Sequence, residues 1–354
     1  MPFTPPDFPA IQAAILRDIA NQLPDADTGA DSDFAIRANA TASAIEGLYQ
    51  HQAWVVRQIF PDTADSDYLA LHARTRGLSK KVGVPAAGTI QLTGQQTAAI
   101  SGPLLAQTPD GRQYTITATG AIDATQAISL AAVAVVSGSA GNAAAGTPVT
   151  LTQPPPGVNA AATITSMVGG TDDETDADLL ARLLDVIQRP PAGGNAQDYR
   201  RWALNVAGVT SAYVYPLRRG LGTCDVVITS AGGIPSAVTL AAAQAYIDSV
   251  RPVTAKSSLV LAPAPLPIDH VIQVAMPGGS QALALALIQP ALAGYFASLP
   301  PGTPYVRSQV ETIVSNLPGI TDRLLVAPTA NVVPATSPAV QWCQLGNLSV
   351  SLMS

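Results

Sequence analysis

The densest group of potentially reactive side chains in this 354-residue chain is the acidic run Asp172, Asp173, Glu174, Asp176 and Asp178. Carboxylates this close together could chelate a metal ion. Their spacing also suits another use: Thr171 with Glu174, and Thr175 with Asp178, stand three apart as in a capping box, and acids in a first turn complement the helix dipole. That reading predicts a helix start here. A second acidic group, Asp25, Asp27, Asp31 and Asp33, invites a calcium loop. Counted from Asp25, however, Gly29, Ala30 and Ile36 occupy the places where an EF-hand needs a ligand, a glycine and a glutamate.

Only His51, His72 and His270 could act as imidazole bases or zinc ligands, and none lies in an HExxH pattern. His72 follows Asp65 and Asp67, but Asp65 or Ser66 fits better as the cap of the helix that carries it. No serine sits in a GxSxG elbow, no Gly-Lys pair supplies a phosphate loop, and Gly220 with Gly222 lacks the third glycine of a dinucleotide fingerprint. Cys224 and Cys343 have no CxxC spacing, which points to neither a disulfide scaffold nor a thiolate metal site and suits a reducing compartment. Tyr199 with Trp202, and Tyr213 with Tyr215, could build an aromatic platform for sugars or bases. The same spacings put each pair on one helix or strand face, where core or interface packing explains them more simply. The expectation is a chain without a catalytic, cofactor-binding or metal-binding site.

Composition narrows the partners. Hydrophobic residues make up 47% and charged residues 12%, which favours folded domains with apolar surface left for other proteins. The net charge is −6 and the only lysines are Lys80, Lys81 and Lys256, so the clustered positive charge that nucleic acid requires is missing. Arg74, Arg76, Lys80 and Lys81, and the pair Arg218 and Arg219, read as solvated charges or interface ion pairs. The start, MPFTPPDFPA, lacks the basic and apolar regions of a signal peptide. The apolar stretches at 127–136 and 282–296 are too short, or are interrupted by Gln289 and Pro290, to cross a bilayer of about 30 Å. No membrane insertion is expected, and the chain should be soluble where it is made.

The elements that must position these residues follow from periodicity. Ile11, Ile15, Ile19 and Leu23 recur every four residues, predicting a helix over 9–23 whose stripe could close on the next two helices or pack on another subunit. A second helix is predicted over 33–60, with Ile45, Leu48, Val55 and Ile59 on one side, and a third over 66–76, stopped by Gly77. From Pro85 the segments TIQLTG, QYTITATG and ISLAAVAVV alternate as strands do, and Pro109-Asp110-Gly111 signals a hairpin. Glycines and prolines between 138 and 157 place a boundary near 165. Beyond it helix and strand alternate, with an internal echo. Pro190-Pro191, a helix and NVAGVT from Asn205 match Pro300-Pro301, a helix and NLPGIT from Asn316. The fold expected is α+β and multidomain: helices over 1–80, a small β domain over 85–167, and two related α/β modules over 172–264 and 266–354, each a sheet covered by helices on one face.

The stretches GGTDDETDADLLARLL, PPAGGNAQDYRRWA, GVTSAYVYP and RPVTA, with YLALHARTRGL and the glycine-rich β segment after it, resemble the baseplate J-like family of contractile phage tails of the Mu-like and P2-like kind. The resemblance covers about residues 65–265. It implies a non-enzymatic wedge protein of the virion's tail baseplate, assembled in the bacterial cytoplasm. Such a protein joins neighbouring wedges around the central hub and spike and helps relay receptor engagement to sheath contraction. Its partners would be other wedge subunits, further copies of itself, hub and spike proteins and a tail-fibre attachment protein, with no cofactor. Interface candidates are Ile11, Ile15, Ile19, Leu23, Tyr199, Trp202, Arg218 and Arg219. A reading from another class stays open: a carbohydrate-binding adhesin or cell-wall hydrolase of the tail tip, with Tyr114, Asp110 and Asp123 of the β region available for sugar.

Overall fold

Short polar side chains start the first helices of the computed structural model, which describes residues 3–353. Asp7 accepts a hydrogen bond from the Ala10 amide to open α1 (Phe8–Gln22), and Ser32 accepts one from Ala35 to open α2 (Asp33–Ile59). The third helix, α3 (Ser66–Thr75), ends where Gly77 takes a φ of 73°. Leu78 then donates to Ala73 and Gly77 to Arg74, a Schellman closure that leaves Leu78 buried. Of the two arrangements open to its stripe, α1 takes the intramolecular one and packs on α2, with Ile15 and Ile19 left half-buried. Gln12 donates to Asn39 and Phe8 to Glu46, so the helices run antiparallel, with Ile11, Ala35, Ala38 and Ala42 buried. Three alanines on one helix face let the neighbouring backbone approach closely.

A fourth helix, α4 (Asp176–Gln188), belongs with these three: residues up to Lys80 together with Thr175–Gln188 form one compact unit. This differs from the 172–264 grouping expected from sequence. The reason is physical, since α4 is strongly amphipathic and its Leu179 and Leu183 share a buried cluster with Leu69, Ala73 and Leu78.

The second unit holds Lys81–Glu174 and the chain from Arg189 onward. Its first part has eight strands: β1 (Ala87–Gly94), β2 (Ala99–Ile100), β3 (Leu104–Gln107), β4 (Gln113–Ile116), β5 (Gly120–Ala121), β6 (Ala127–Ala134), β7 (Pro148–Leu151) and β8 (Val158–Val168). Six close into a barrel in the order β1-β6-β4-β3-β7-β8, while β2 and β5 pair separately. Alternation turns Ile90, Leu92, Tyr114, Ile116 and Ile164 inward, all fully buried. Closure brings β1 hard against β8; a Cβ on Gly88 would sit 1.8 Å from the Ser166 carbonyl oxygen. The β3–β4 hairpin turns at Gly111, φ 91°, as the Asp-Gly signal predicts. The expected boundary near 165 falls inside β8, and the chain leaves the barrel at Gly169.

Two three-stranded sheets follow. One comprises α5 (Ala196–Leu204), β9 (Ser211–Pro216), β10 (Thr223–Thr229), α6 (Ala237–Val250) and β11 (Ser257–Leu261), with β10 central, antiparallel to β9 and parallel to β11. The other comprises β12 (Ala264–Ala275), α7 (Gln281–Ser298), α8 (Arg307–Ser315), β13 (Asp322–Ala327) and β14 (Gln341–Leu352), with β12 central, antiparallel to β13 and parallel to β14. The sequence echo falls on α5–β9 and α8–β13. Both helices have nine residues and an asparagine C-cap, Asn205 or Asn316; a glycine at positive φ follows, Gly208 or Gly319, then a six-residue antiparallel edge strand. The wiring around that shared piece differs, because β9 leads into the central strand of its sheet and β13 leads to the far edge. The sequence treats Gln289-Pro290 as an interruption, yet α7 continues through it for 18 residues. It is a helix long and apolar enough to cross a membrane, and its Ala284, Ile288, Leu292 and Phe296 are buried in the core of its own sheet.

Candidate assembly surfaces

The acidic run is a staple rather than a chelate. Asp172 accepts from the amide and hydroxyl of Ser139, which holds its carboxyl below the usual carboxylate range. Asp173 accepts from the Gly83 amide at 2.7 Å and Glu174 from the Lys81 amide at 2.9 Å, beside a bridge between Val84 and Thr171. The expected Thr171–Glu174 capping box therefore does not form; extended amides at 81–83 without a full ladder take the carboxylates instead. Thr175 and Asp178 do cap α4, with the Asp178 amide donating to Thr175 Oγ1 at 3.2 Å. Asp176 pairs with Lys80 at 2.8 Å and accepts from Ser66, and these contacts depress its pKa. Among the described residues, no three His, Cys, Asp or Glu side chains converge as metal ligands would.

The other reactive types are occupied by packing. His72 Nε2 lies 2.7 Å from the Gln58 carbonyl. His270 is buried between the Ile268 carbonyl and the Tyr305 hydroxyl, and burial lowers its pKa. Burial pushes the Cys224 thiol up to about 11, which makes it a poor nucleophile. Tyr114, the aromatic that a sugar-binding β region would need, is fully buried in the barrel core, its hydroxyl donating to Gly141.

The interface candidates separate into two groups. Ile11 is 6% exposed, Ile15 and Ile19 are half-buried, and Leu23 is exposed at the end of α1. Tyr199 is buried and meets Trp202 edge-on at 4.9 Å, inside the core that α5 shares with β9 and β10. Arg218 and Arg219 both reach Asp225, which is 0% exposed; Arg218 is nearly buried by these contacts, while Arg219 remains exposed. Ile11, Tyr199, Trp202, Arg218 and Arg219 thus each make contacts within their own unit, and of these Arg219 stays exposed. In each case the side chain has enough apolar or charged surface to satisfy a neighbour in its own unit.

The largest open apolar surface among the described residues of the helical unit lies on the later half of α2. Leu48, Val55, Val56, Ile59 and Phe60 are all exposed, Leu48 at 62% and Phe60 at 59%, because α1 covers only the first half of a 27-residue helix. At 100° per residue Leu48, Val55 and Ile59 fall within one narrow arc. Their stripe is visible in the sequence. The clue that it is the uncovered one is the length mismatch between α1, 15 residues, and α2. In the second unit, the outer face of the last sheet exposes Val271, Leu324 and Val326, and the β9–β10 hairpin exposes Leu217 and Leu221 at its tip.

With this architecture in view, family models match along the chain in order: the baseplate J-like protein barrel domain at residues 89–170, the baseplate J-like central domain at 191–261 and the baseplate J-like protein C-terminal domain at 274–351. The baseplate protein gp47 of Escherichia phage Mu is 36% identical over 228 residues, 64% of this chain and 63% of that protein; the match thus spans just under two thirds of the relative's length. The Mu-like prophage FluMu protein gp47 of Haemophilus influenzae is 32% identical over 306 residues, 82% of this chain and 84% of that protein. Among solved structures, the baseplate of the anti-feeding prophage aligns with a TM-score of 0.36 at 13% identity, covering 95% of this chain and 90% of that one.

Proposed function

Since the chain belongs to the baseplate J-like family, we propose that it is a structural component of a phage baseplate and serves there as a wedge protein without catalytic activity. In this reading it is carried in the virion tail after assembly in the host cytoplasm. It joins neighbouring wedges around the hub and spike and passes receptor engagement on to the contracting sheath. The observation that carries the reading is the uncovered stripe Leu48, Val55, Ile59 on α2, flanked by Val56 and Phe60. An apolar helix face of this kind is buried when a helix of another subunit packs along it. The helical unit then binds a different wedge subunit, while the open sheet face at Val271, Leu324 and Val326 and the hairpin tip are available to further copies of the chain.

Particles made in cells lacking this gene, complemented with wild type or with Val55→Asp/Ile59→Asp, test the proposal by electron microscopy. Wild type should restore baseplates, and the double variant should fold with unchanged helicity yet leave tails without them. Restoration by the variant would exclude α2 as the docking helix. Complete particles formed without the gene would overturn the wedge assignment itself.

A further inference from the structure

The carboxylate of Asp225 is fully buried and is met by two arginines. It sits in the middle of β10, 0% exposed, on the sheet face turned away from α5 and α6, next to Tyr215 across the β9–β10 ladder. Two consecutive residues converge on it. Arg218 Nε donates to Oδ2 at 2.7 Å and Arg219 Nε to Oδ1 at 2.8 Å. Neighbours in an extended strand point to opposite faces, so two adjacent arginines can meet one carboxylate only if the backbone leaves the strand. It does so at Leu217, whose φ is 60°, a conformation rarely adopted by a residue with a branched side chain.

Arg218 does not stop at Asp225. Its Nη1 donates at 3.0 Å to the Thr336 carbonyl and at 2.9 Å to the Pro338 carbonyl, both in the segment leading into β14. Beside it the Tyr215 hydroxyl donates to the Pro301 carbonyl, and Gly302, at φ 75°, keeps that turn close enough that a Cβ would meet the Tyr215 hydroxyl at 3.3 Å. The central sheet therefore holds two separate loops of the last sheet through side chains that rise from one hairpin.

We propose that Asp225 and Arg218 form an ionic latch that joins the central and C-terminal regions into one mechanical piece, with Asp225 as the positioning residue and Arg218 as the bolt. A lone guanidinium reaching for two carbonyls would sample many rotamers, and the carboxylate removes that freedom. Arg219 neutralises the buried charge in either state, so the bolt can withdraw without leaving Asp225 unpaired. The latch goes beyond the wedge role and does not depend on it.

Hydrogen exchange on the full-length chain tests the latch, comparing wild type with Arg218→Gln and Asp225→Asn. The reporters are the Gly302 amide, which donates to Gln341, and the Gln341 amide, which donates to Ala335. Both variants should raise exchange at these C-terminal amides roughly tenfold or more, as expected for loss of charge-assisted hydrogen bonds, with the barrel strands unchanged. The double variant should add little, because the residues act as one device. Wild-type protection at both amides in Arg218→Gln would overturn the proposal, as would exchange raised only within β9 and β10. Arg218→Gln leaves Arg219 on Asp225, so it decides the matter even if Asp225→Asn fails to fold.

Discussion

Removing the Asp198 carboxylate should unmake the turn that launches α5. The carboxylate is 2% exposed and gathers three backbone amides: Ala192 at 3.0 Å, Gly194 at 2.7 Å and Asn195 at 3.3 Å. It completes a reciprocal capping box, since the Asp198 amide donates to Asn195 Oδ1, and it lies 3.6 Å from Arg201. A hydrogen bond to a charged partner is worth about 1.5–3 kcal/mol, and three that share one acceptor overlap, so Asp198→Ala should cost roughly 3 kcal/mol locally. Asp198→Asn keeps an acceptor of the same shape and should cost about 1 kcal/mol. A multidomain chain need not melt in one step, so the assay is hydrogen exchange over residues 192–204. About 3 kcal/mol corresponds to exchange faster by roughly 100-fold for Asp198→Ala. Exchange within about threefold of wild type would refute the view that one carboxylate organises this turn.

Other perturbations give equally definite outcomes. Gly194→Val should destabilise the same turn by more than 1 kcal/mol, because φ is 119° and a Cβ would lie 2.6 Å from the Pro252 ring; Gly193→Val, at φ 83° but with open space, should cost about 1 kcal/mol, and hydrogen exchange over residues 192–204 would separate the two. His270 is neutral in its buried site with a pKa below 6.5, so the unfolded chain takes up its proton first as pH falls. Stability of the C-terminal region should therefore begin to drop below about pH 6.5, and His270→Phe should flatten that slope in melting curves taken from pH 7 to 5. Ile11→Asp should unfold the α1–α2 pair, read as lost helicity, where Val55→Asp should not.

Much of this architecture is legible in local patterns. The apolar period of α1 to α3, the Gly77 stop and the Asp-Gly hairpin all act within a few residues, and there the expected and observed elements agree closely. Long-range partnerships are what the pattern omits. Amphipathicity says that α4 needs a cover, and nothing local says that α3 provides it. Capping spacing is equally ambiguous: Thr175 and Asp178 use it, whereas Glu174 at the same spacing from Thr171 turns to the Lys81 amide. Arginines 218 and 219 look like surface charges until Asp225, in a strand otherwise rich in valine and isoleucine, is seen to lie beneath them.

The pairing of α3 with α4 also bears on how the chain is born. The ribosome releases Leu69, Ala73 and Leu78 long before Leu179 and Leu183, with the whole barrel sequence emerging in between. At about 5–20 residues per second the nascent helices keep an unclosed oily face for several seconds. The barrel, whose strands are contiguous in the chain, can mature during that wait. A fragment ending at Lys80 would keep the exposed face for good, so it should aggregate or recruit chaperones, and supplying residues 175–188 as a peptide should restore its solubility.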